Sequence, residues 1–252
     1  MPNICVVGFG NVGKATAKLF STDKYYDIND STITLEEAGK CDFVFICLPT
    51  PTINGECYVD DIVETVKTIK EHGSPLFVIR STVTPGTSRF LAGEGISVVS
   101  NPEFGSQDTM YEDMLHPPFI VIGYQDIKDG EKLKALYEGR IRNSRFIMCD
   151  ATTAEMSKYA LNTFFATKVA FANQMSDVCD KSGANYETVK SVLMNHPWGS
   201  RNHFEAIYNG KRGLGGACLP KDLTAFTTYS QSELLKGVKK VLNGYPDTEQ
   251  VD

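Results

Sequence analysis

The chain has 252 residues, of which 42% are hydrophobic and 22% charged, and its formal net charge is -6. That composition is ordinary for a soluble globular protein; the length suits one large domain or two smaller ones, and a core of that size needs no disulfide or metal staple. The acidic balance and the lack of any basic run exclude nucleic acid as the expected partner.

Pro2 and Asn3 lead straight into a short apolar run, so no signal peptide is expected, and the longest apolar runs are too short to span a bilayer. The seven cysteines are scattered, with no CxxC pair and no zinc-like spacing. They predict a reduced cytoplasmic protein without a metal centre or membrane contact, in which Cys5 and Cys47 are small core residues.

Along the first half, short strands alternate with helices. Ile4–Val7 is an apolar strand broken by Gly8. Asn11–Phe20 reads as a helix, with Val12, Ala15, Leu19 and Phe20 at helical spacing. Tyr25–Tyr26 is a short strand. Residues 43–48 form a continuous apolar run, the mark of a strand buried on both faces. Residues 60–71 are helical, with Ile62, Val63, Val66 and Ile69 on one stripe. Leu76–Ile79 and residues 96–99, 119–122 and 145–148 are further strands. This alternation predicts an α/β fold: an N-terminal Rossmann-like parallel sheet with helices on both faces, joined by right-handed crossovers.

The pattern changes near Asp150. No proline or glycine interrupts Ala151–Ser182, so one helix of roughly 45–50 Å is expected there. Thr152 or Thr153 would cap its start and Gly183 its end. Such a length suggests a dimerisation spine, and a second helix follows over residues 186–194. The expected domains are therefore 1–150, binding a dinucleotide, and 151–252, all-helical around the long central helix. Residues 247–252 read as a frayed polar tail.

Gly8-Phe9-Gly10-Asn11-Val12-Gly13 is a GxGxxG motif. The pattern alone is weak, but here it follows a strand and opens a helix. Gly8 permits the tight turn, Gly10 lets the backbone approach a pyrophosphate, and Gly13 allows close packing of helix on strand; Asn11 and Val12 begin the helix whose N-terminus meets the phosphates. Asp27, nineteen positions after Gly8, is placed to accept hydrogen bonds from the ribose hydroxyls, with Asp30 as the alternative. A carboxylate there favours NAD over NADP. Two loops, one holding Pro49 and Thr50, the other Ser81 and Thr82, fall where strands of the sheet end. They suit ribose, nicotinamide or substrate contacts, or simply turn chemistry.

In the second half stands Leu214-Gly215-Gly216-Ala217-Cys218-Leu219-Pro220-Lys221-Asp222. It resembles the catalytic-cysteine segment of the UDP-glucose/GDP-mannose dehydrogenase family. The glycine motif, the 48–52 loop, Ser81-Thr82-Val83, Asn101-Pro102-Glu103-Phe104 and residues 155–162 match in the family's order, so the resemblance covers essentially the whole chain. It implies an NAD-dependent two-step oxidation of a nucleotide sugar's primary alcohol to a carboxylate, serving polysaccharide biosynthesis. Cys218 would be the nucleophile that carries a thioester, with Lys221 close enough for a cation to favour the thiolate and to border the cofactor. Lys158 and Asn162, four apart on one helix face, would hold the reacting oxygen. Glu103 and Asp222 would manage protons and water. For Glu155, three before Lys158, a helix-surface ion pair explains the sequence as well as function does.

The sequence also departs from the family. Thirty residues follow Asp222, too few for the family's third, nucleotide-binding domain, so a short form is expected. Gln107 stands where relatives carry a second glutamate, Phe119 where an arginine is common, and Asn173-Gln174 where Asn-Glu is typical. Two other functions fit part of the pattern: a β-hydroxyacid dehydrogenase-like enzyme, which needs no cysteine, and a catalytically inactive NAD-binding subunit. The expected assembly is a homodimer through the long helix.

Overall fold

A strand buried on both faces must be apolar along its whole length, and this rule explains the layout of the first half. The computed structural model describes residues 2–141, 144–197, 199 and 202–250. In chain order the elements are β1 (Ile4–Val7), α1 (Asn11–Phe20), β2 (Tyr25–Tyr26), α2 (Leu35–Gly39), β3 (Phe43–Ile46), β4 (Thr52–Ile53), β5 (Glu56–Cys57) and α3 (Asp60–Lys70). Then come β6 (Leu76–Ile79), α4 (Thr87–Gly93), β7 (Val98–Ser100), α5 (Met110–Leu115), β8 (Phe119–Tyr124), α6 (Ile127–Glu138) and β9 (Arg145–Asp150). The last are α7 (Ala151–Ser182), α8 (Tyr186–Asn195), α9 (Leu219–Ser230) and α10 (Glu233–Leu242). The chain forms two compact units: one runs to Thr50 and from Tyr58 to Lys158, the other holds Pro51–Cys57 and everything from Tyr159 onward.

The first unit is built on a seven-stranded sheet of order β2-β1-β3-β6-β7-β8-β9. Successive side chains alternate between its faces. Ile4, Val6, Phe43, Phe45, Leu76 and Val78 pack with α1, α5 and α6. Cys5, Val7, Val44, Ile46, Phe77 and Ile79 pack with α2, α3 and α4. Cys5 is the core residue its setting predicts; Cys47 is only partly buried, against the α1 face. The sheet differs from the expected all-parallel arrangement at one junction, where β7 and β8 run antiparallel with Val99 opposite Tyr124. The link between them carries α5, whose Met110 and Met114 join the α1 core. The chain therefore re-enters the sheet at the end where β7 left it instead of crossing over to the other end.

α7 begins in the first unit and continues in the second. It has the predicted extent, but its cap is Asp150, not a threonine: the Asp150 carboxylate accepts the Thr153 amide at 2.9 Å. Thr152 and Thr153 already lie inside the first turn. At the far end Gly183 adopts φ +70, and the Ala184 amide reaches the Cys179 carbonyl at 2.9 Å.

In the second unit, Ala166, Val169 and Ala170 of α7 pack with Leu214, Leu223, Leu235, Val238 and Leu242. Ala172 and Cys179 pack with Tyr186 and Ala206. The unit also holds the β4–β5 hairpin, whose two-residue Asn54-Gly55 turn (φ 52 and 80) sets Thr52 opposite Cys57. The expected frayed tail is packed as far as it is described. Thr248 is buried, its hydroxyl donates to Leu242 O at 2.7 Å, and the Glu249 amide bonds Leu214 O at 2.8 Å. Residues 251–252 lie outside the described residues.

Candidate functional site

β1 ends in the glycine turn. Gly8 has φ +90, and a Cβ on it would stand 2.6 Å from the Cys47 carbonyl oxygen; a Cβ on Gly13 would fall 1.9 Å from Gly8 O. These two glycines let helix, turn and neighbouring strand touch. Gly10 is different, because a Cβ there would meet nothing within 4 Å. α1 then starts without a side-chain cap and without an acidic residue in its first turn. The leading amides of a helix have no partner inside it, so the start of α1 beside the open Gly10 is suited to an anion.

Asp27 follows β2 and closes on this turn. Its Oδ2 accepts the Phe9 amide at 2.7 Å and its Oδ1 the Asn29 amide at 3.2 Å. These hydrogen bonds, that of Phe9 foremost, hold its carboxyl below the usual range. Asp30 accepts the Tyr25 hydroxyl instead, at 2.6 Å. Of the two acids named for the ribose, Asp27 is the one that touches the glycine turn.

The loops after β3 and β6 are tied together. Ser81 Oγ donates to Leu48 O at 2.6 Å, and buried Thr50 donates to Thr82 O at 2.7 Å, with Pro49 between the two anchors. Glu155 fastens the next stretch. For Glu155 the sequence leaves a helix-surface ion pair and a functional role equally open; it is 2% exposed and accepts the amides of Gly86 (2.6 Å) and Ser88 (2.8 Å), capping α4 from the first turns of α7. Burial is the chief cause holding its carboxyl above the ordinary value.

One turn further along, Lys158 Nζ lies 5.4 Å from the centre of the Phe104 ring, and Phe104 meets Phe119 edge-on at 5.2 Å. Phe119, an unexpected residue at its position, completes this aromatic pair. Glu103 is held on both oxygens. Oε1 accepts the amides of Phe104 (2.8 Å) and Gly105 (2.7 Å), and Oε2 accepts Arg80.

In the second unit, Cys218 is exposed and immediately precedes α9, whose first turn contains Pro220. Gly213 and Gly216 (φ 118 and 91) bend the chain before it. Asp222, 1% exposed, accepts Asn162 Nδ2 at 2.6 Å and Lys221 Nζ at 2.6 Å. Lys221 O in turn accepts the Thr52 hydroxyl of the hairpin at 3.1 Å. Three of the residues singled out in the sequence, Asn162, Lys221 and Asp222, are thus joined by hydrogen bonds, and a fourth, Cys218, directly precedes the helix that carries Lys221 and Asp222. Among the described residues there is no cluster of three or more metal-ligating side chains, and no helix is long and apolar enough to cross a membrane.

Known proteins match along most of this chain. Residues 24–141 fit the NAD binding domain of the UDP-glucose/GDP-mannose dehydrogenase family, and residues 152–243 fit its central domain. The chain belongs to the UDP-glucose/GDP-mannose dehydrogenase family. It is 34% identical over 220 residues to UDP-glucose 6-dehydrogenase of Rickettsia felis, a match covering 81% of this chain and 48% of that protein. With UDP-glucose 6-dehydrogenase YwqF of Bacillus subtilis it shares 33% identity over 234 residues, 86% of this chain and 52% of that one. A UDP-glucose dehydrogenase structure from Pyrobaculum islandicum superposes with a TM-score of 0.85 at 26% identity, covering 97% of this chain and 68% of that one. The chain spans about half the length of the curated relatives it matches.

Family membership makes NAD the cofactor, and the residues fit it. The open face at Gly10 and the uncapped start of α1 suit a pyrophosphate, and the Asp27 carboxylate suits a ribose without a 2′-phosphate. Two residues of the first unit escaped the sequence reading, Arg80 and Tyr137, both buried around Glu103. The available signal was slight: an arginine placed directly after the apolar run of β6.

Proposed function

We propose that the chain oxidises the primary alcohol of a nucleotide sugar, of the UDP-glucose kind, to the carboxylate through a thioester on Cys218. What chiefly supports this is the Cys218 segment. An exposed thiol sits at the N-terminal end of a helix, which stabilises negative charge nearby, and the same helix carries the aspartate that holds Asn162.

NAD, when bound, supplies the redox chemistry by taking up a hydride in each of two oxidations. Gly8, Gly10, Asn11, Val12 and Gly13 would hold its pyrophosphate and Asp27 its ribose, with Pro49, Thr50, Ser81, Thr82 and Lys221 completing its surroundings. At the aldehyde stage the Cys218 sulfur adds to the carbonyl carbon: a C–S bond forms, and the carbonyl π pair becomes an alkoxide. Lys158 and Asn162 donate to that oxygen. Once the carbon is at the thioester level, water adds to it, the C–S bond breaks, the thiolate leaves and both protons of the water pass to solvent as the carboxylate forms. Glu103 accepts a hydrogen bond from that water, and Asp222 keeps the Asn162 amide turned to donate.

The test is incubation with NAD and a panel of UDP- and GDP-sugars, following absorbance of the reduced cofactor and the mass of the protein. Wild type should yield two reduced cofactors per acid, and Cys218→Ser should form no acid. Acid formation by Cys218→Ser would overturn the thioester route; a single reduced cofactor per product, unchanged in Cys218→Ser, would favour the β-hydroxyacid dehydrogenase-like alternative. Cofactor binding with no turnover of any sugar would favour an inactive subunit.

The reading includes a homodimer along α7. Phe164, Phe171 and Val178 of that helix are 54%, 44% and 50% exposed at seven-residue intervals, an apolar stripe suited to a second copy of the same helix. Phe171→Asp should turn a dimer into a monomer in sedimentation; an unchanged mass would remove α7 as the interface.

A further inference from the structure

We propose that Arg80 is a positioning residue for Glu103, setting where the carboxylate stands so that it acts as a stationary hydrogen-bond acceptor. This rests on the reading above, in which Glu103 serves the attacking water.

Arg80 and Asn101 follow the carboxyl ends of the neighbouring parallel strands β6 and β7. The Arg80 amide bonds Ile46 O at 2.9 Å and the Asn101 amide bonds Ile79 O at 2.8 Å, so both backbones are fixed by the sheet. Their side chains form a directed network. Asn101 Nδ2 donates to Val121 O at 2.7 Å, which turns its carbonyl oxygen toward Arg80. Arg80 Nη1 donates to that oxygen and to the Tyr137 hydroxyl, both at 2.6 Å, and Tyr137 donates to the same Asn101 oxygen at 2.6 Å. Arg80 Nη2 is then aimed at Glu103 Oε2. Arg80 Nε has no hydrogen-bond partner, so the guanidinium engages protein only through its two terminal nitrogens.

The arrangement does more than fill a core. A buried ion pair is weak evidence of stabilisation, since apolar residues of equal volume often serve as well. Here the cation is 4% exposed and the anion 15%. Three fixed donors hold Glu103, the two amides on Oε1 and the guanidinium on Oε2, so the lone-pair site left for a water is on Oε2. The guanidinium fixes the geometry, and Oε2, on a carboxylate that is 15% exposed, keeps one acceptor site for the water.

Crystal structures and kinetics of wild type, Arg80→Met, Arg80→Lys and Glu103→Gln test this. In Arg80→Met the Glu103 carboxylate should leave its place by more than about 1 Å, with kcat lower by about 100-fold, the usual cost of such misplacement. KM for the nucleotide sugar should stay within about threefold, because ground-state binding is not what is lost. Arg80→Lys, which restores a charge without the planar fork, should recover about tenfold of the loss. Arg80→Met combined with Glu103→Gln should be no slower than Glu103→Gln alone. A carboxylate that keeps its place without Arg80, an unchanged kcat below the melting temperature, or losses that multiply in the double variant would each overturn the proposal. If Arg80→Met does not fold, Tyr137→Phe takes its place: a several-fold drop in kcat at constant KM is expected, and no drop overturns the proposal. If wild type turns over no nucleotide sugar, the functional reading fails, while the position of Glu103 in the Arg80 variants still decides this one.

Discussion

Glu155→Ala should cost the first unit about 3–5 kcal/mol, more than most substitutions at a helix start. The carboxylate is 2% exposed and accepts two backbone amides, Gly86 at 2.6 Å and Ser88 at 2.8 Å. A hydrogen bond to a charged group is worth about 1.5–3 kcal/mol, so the pair contributes about 3–6 kcal/mol before burial offsets part of it. Truncation also strands the donors. Ser88 is fully buried and its amide finds no water, which costs about 1–3 kcal/mol, whereas half-buried Gly86 can be hydrated. The cap of α4 is Gly86, which has no side chain to replace the lost acceptor. Urea unfolding should show a lower midpoint with an unchanged slope, and amide exchange should accelerate at Gly86 and Ser88. Burial raises the carboxyl above its ordinary 4.5. Stability should therefore be highest below pH 4.5 and decline as the pH climbs through the folded value, because burial penalises the charge while the two hydrogen bonds persist. Uncharged Glu155→Gln should lack that decline. A loss under about 1 kcal/mol with the Ser88 amide still protected would refute the reasoning.

Three further outcomes follow from the same geometry. Asp27→Ala should weaken NAD binding about tenfold, the loss of one charged hydrogen bond to the ribose, and narrow the preference over NADP; equal titrations of wild type and variant would exclude Asp27 from the ribose site. His203 stacks on Phe165 at 4.1 Å, and burial, then Lys168, hold its imidazole below the ordinary 6.5. Its contribution is present above pH 6.5 and lost as the pH falls through the folded value, so melting should drop on acidification and His203→Asn, which tolerates φ 67, should flatten that drop. Asp222→Asn should destabilise the second unit by about 3–5 kcal/mol, because an amide nitrogen can then face the donors of Asn162 and Lys221 with no charge to meet them; an unchanged melting temperature would contradict this.

What the sequence makes legible depends on which forces leave a pattern. β1, β3 and β6 are buried on both faces, so they read as unbroken apolar runs, and α7 reads as a stretch without glycine or proline. The reversal at β8 leaves no such trace, because strand direction is set by the α5 link rather than by the strand's own residues. The β4–β5 hairpin had a signal in Asn54-Gly55, but its strands are two residues each, too short for periodicity. Thr248 is held by its hydroxyl rather than by apolar surface, so the end of the chain looks like a tail. Glu155 shows the limit most clearly. Its neighbour in sequence, Lys158, suggests an ion pair, whereas its partners are backbone amides 69 and 67 residues away that no side-chain pattern marks.

The three carboxylates that matter most share one chemical design. Glu103 meets a guanidinium and two amides, Glu155 meets two amides, and Asp222 meets an amide and an ammonium. Each is held in place by fixed donors, so it accepts further hydrogen bonds without moving. The family resemblance implies that Glu103 and Asp222 manage protons and water; in the proposed reaction they do so by holding a water and an amide in place. Asp222 occupies one N–H of Asn162 and leaves the second for a ligand oxygen, so it sets which way that amide faces. Glu155 ties α4 to the start of α7, three residues before Lys158. In the proposed reaction the cofactor takes the electrons and Cys218 the carbon, so what the carboxylates must supply is geometry. Preorganised donors contribute to rate only if they do not move when charge develops.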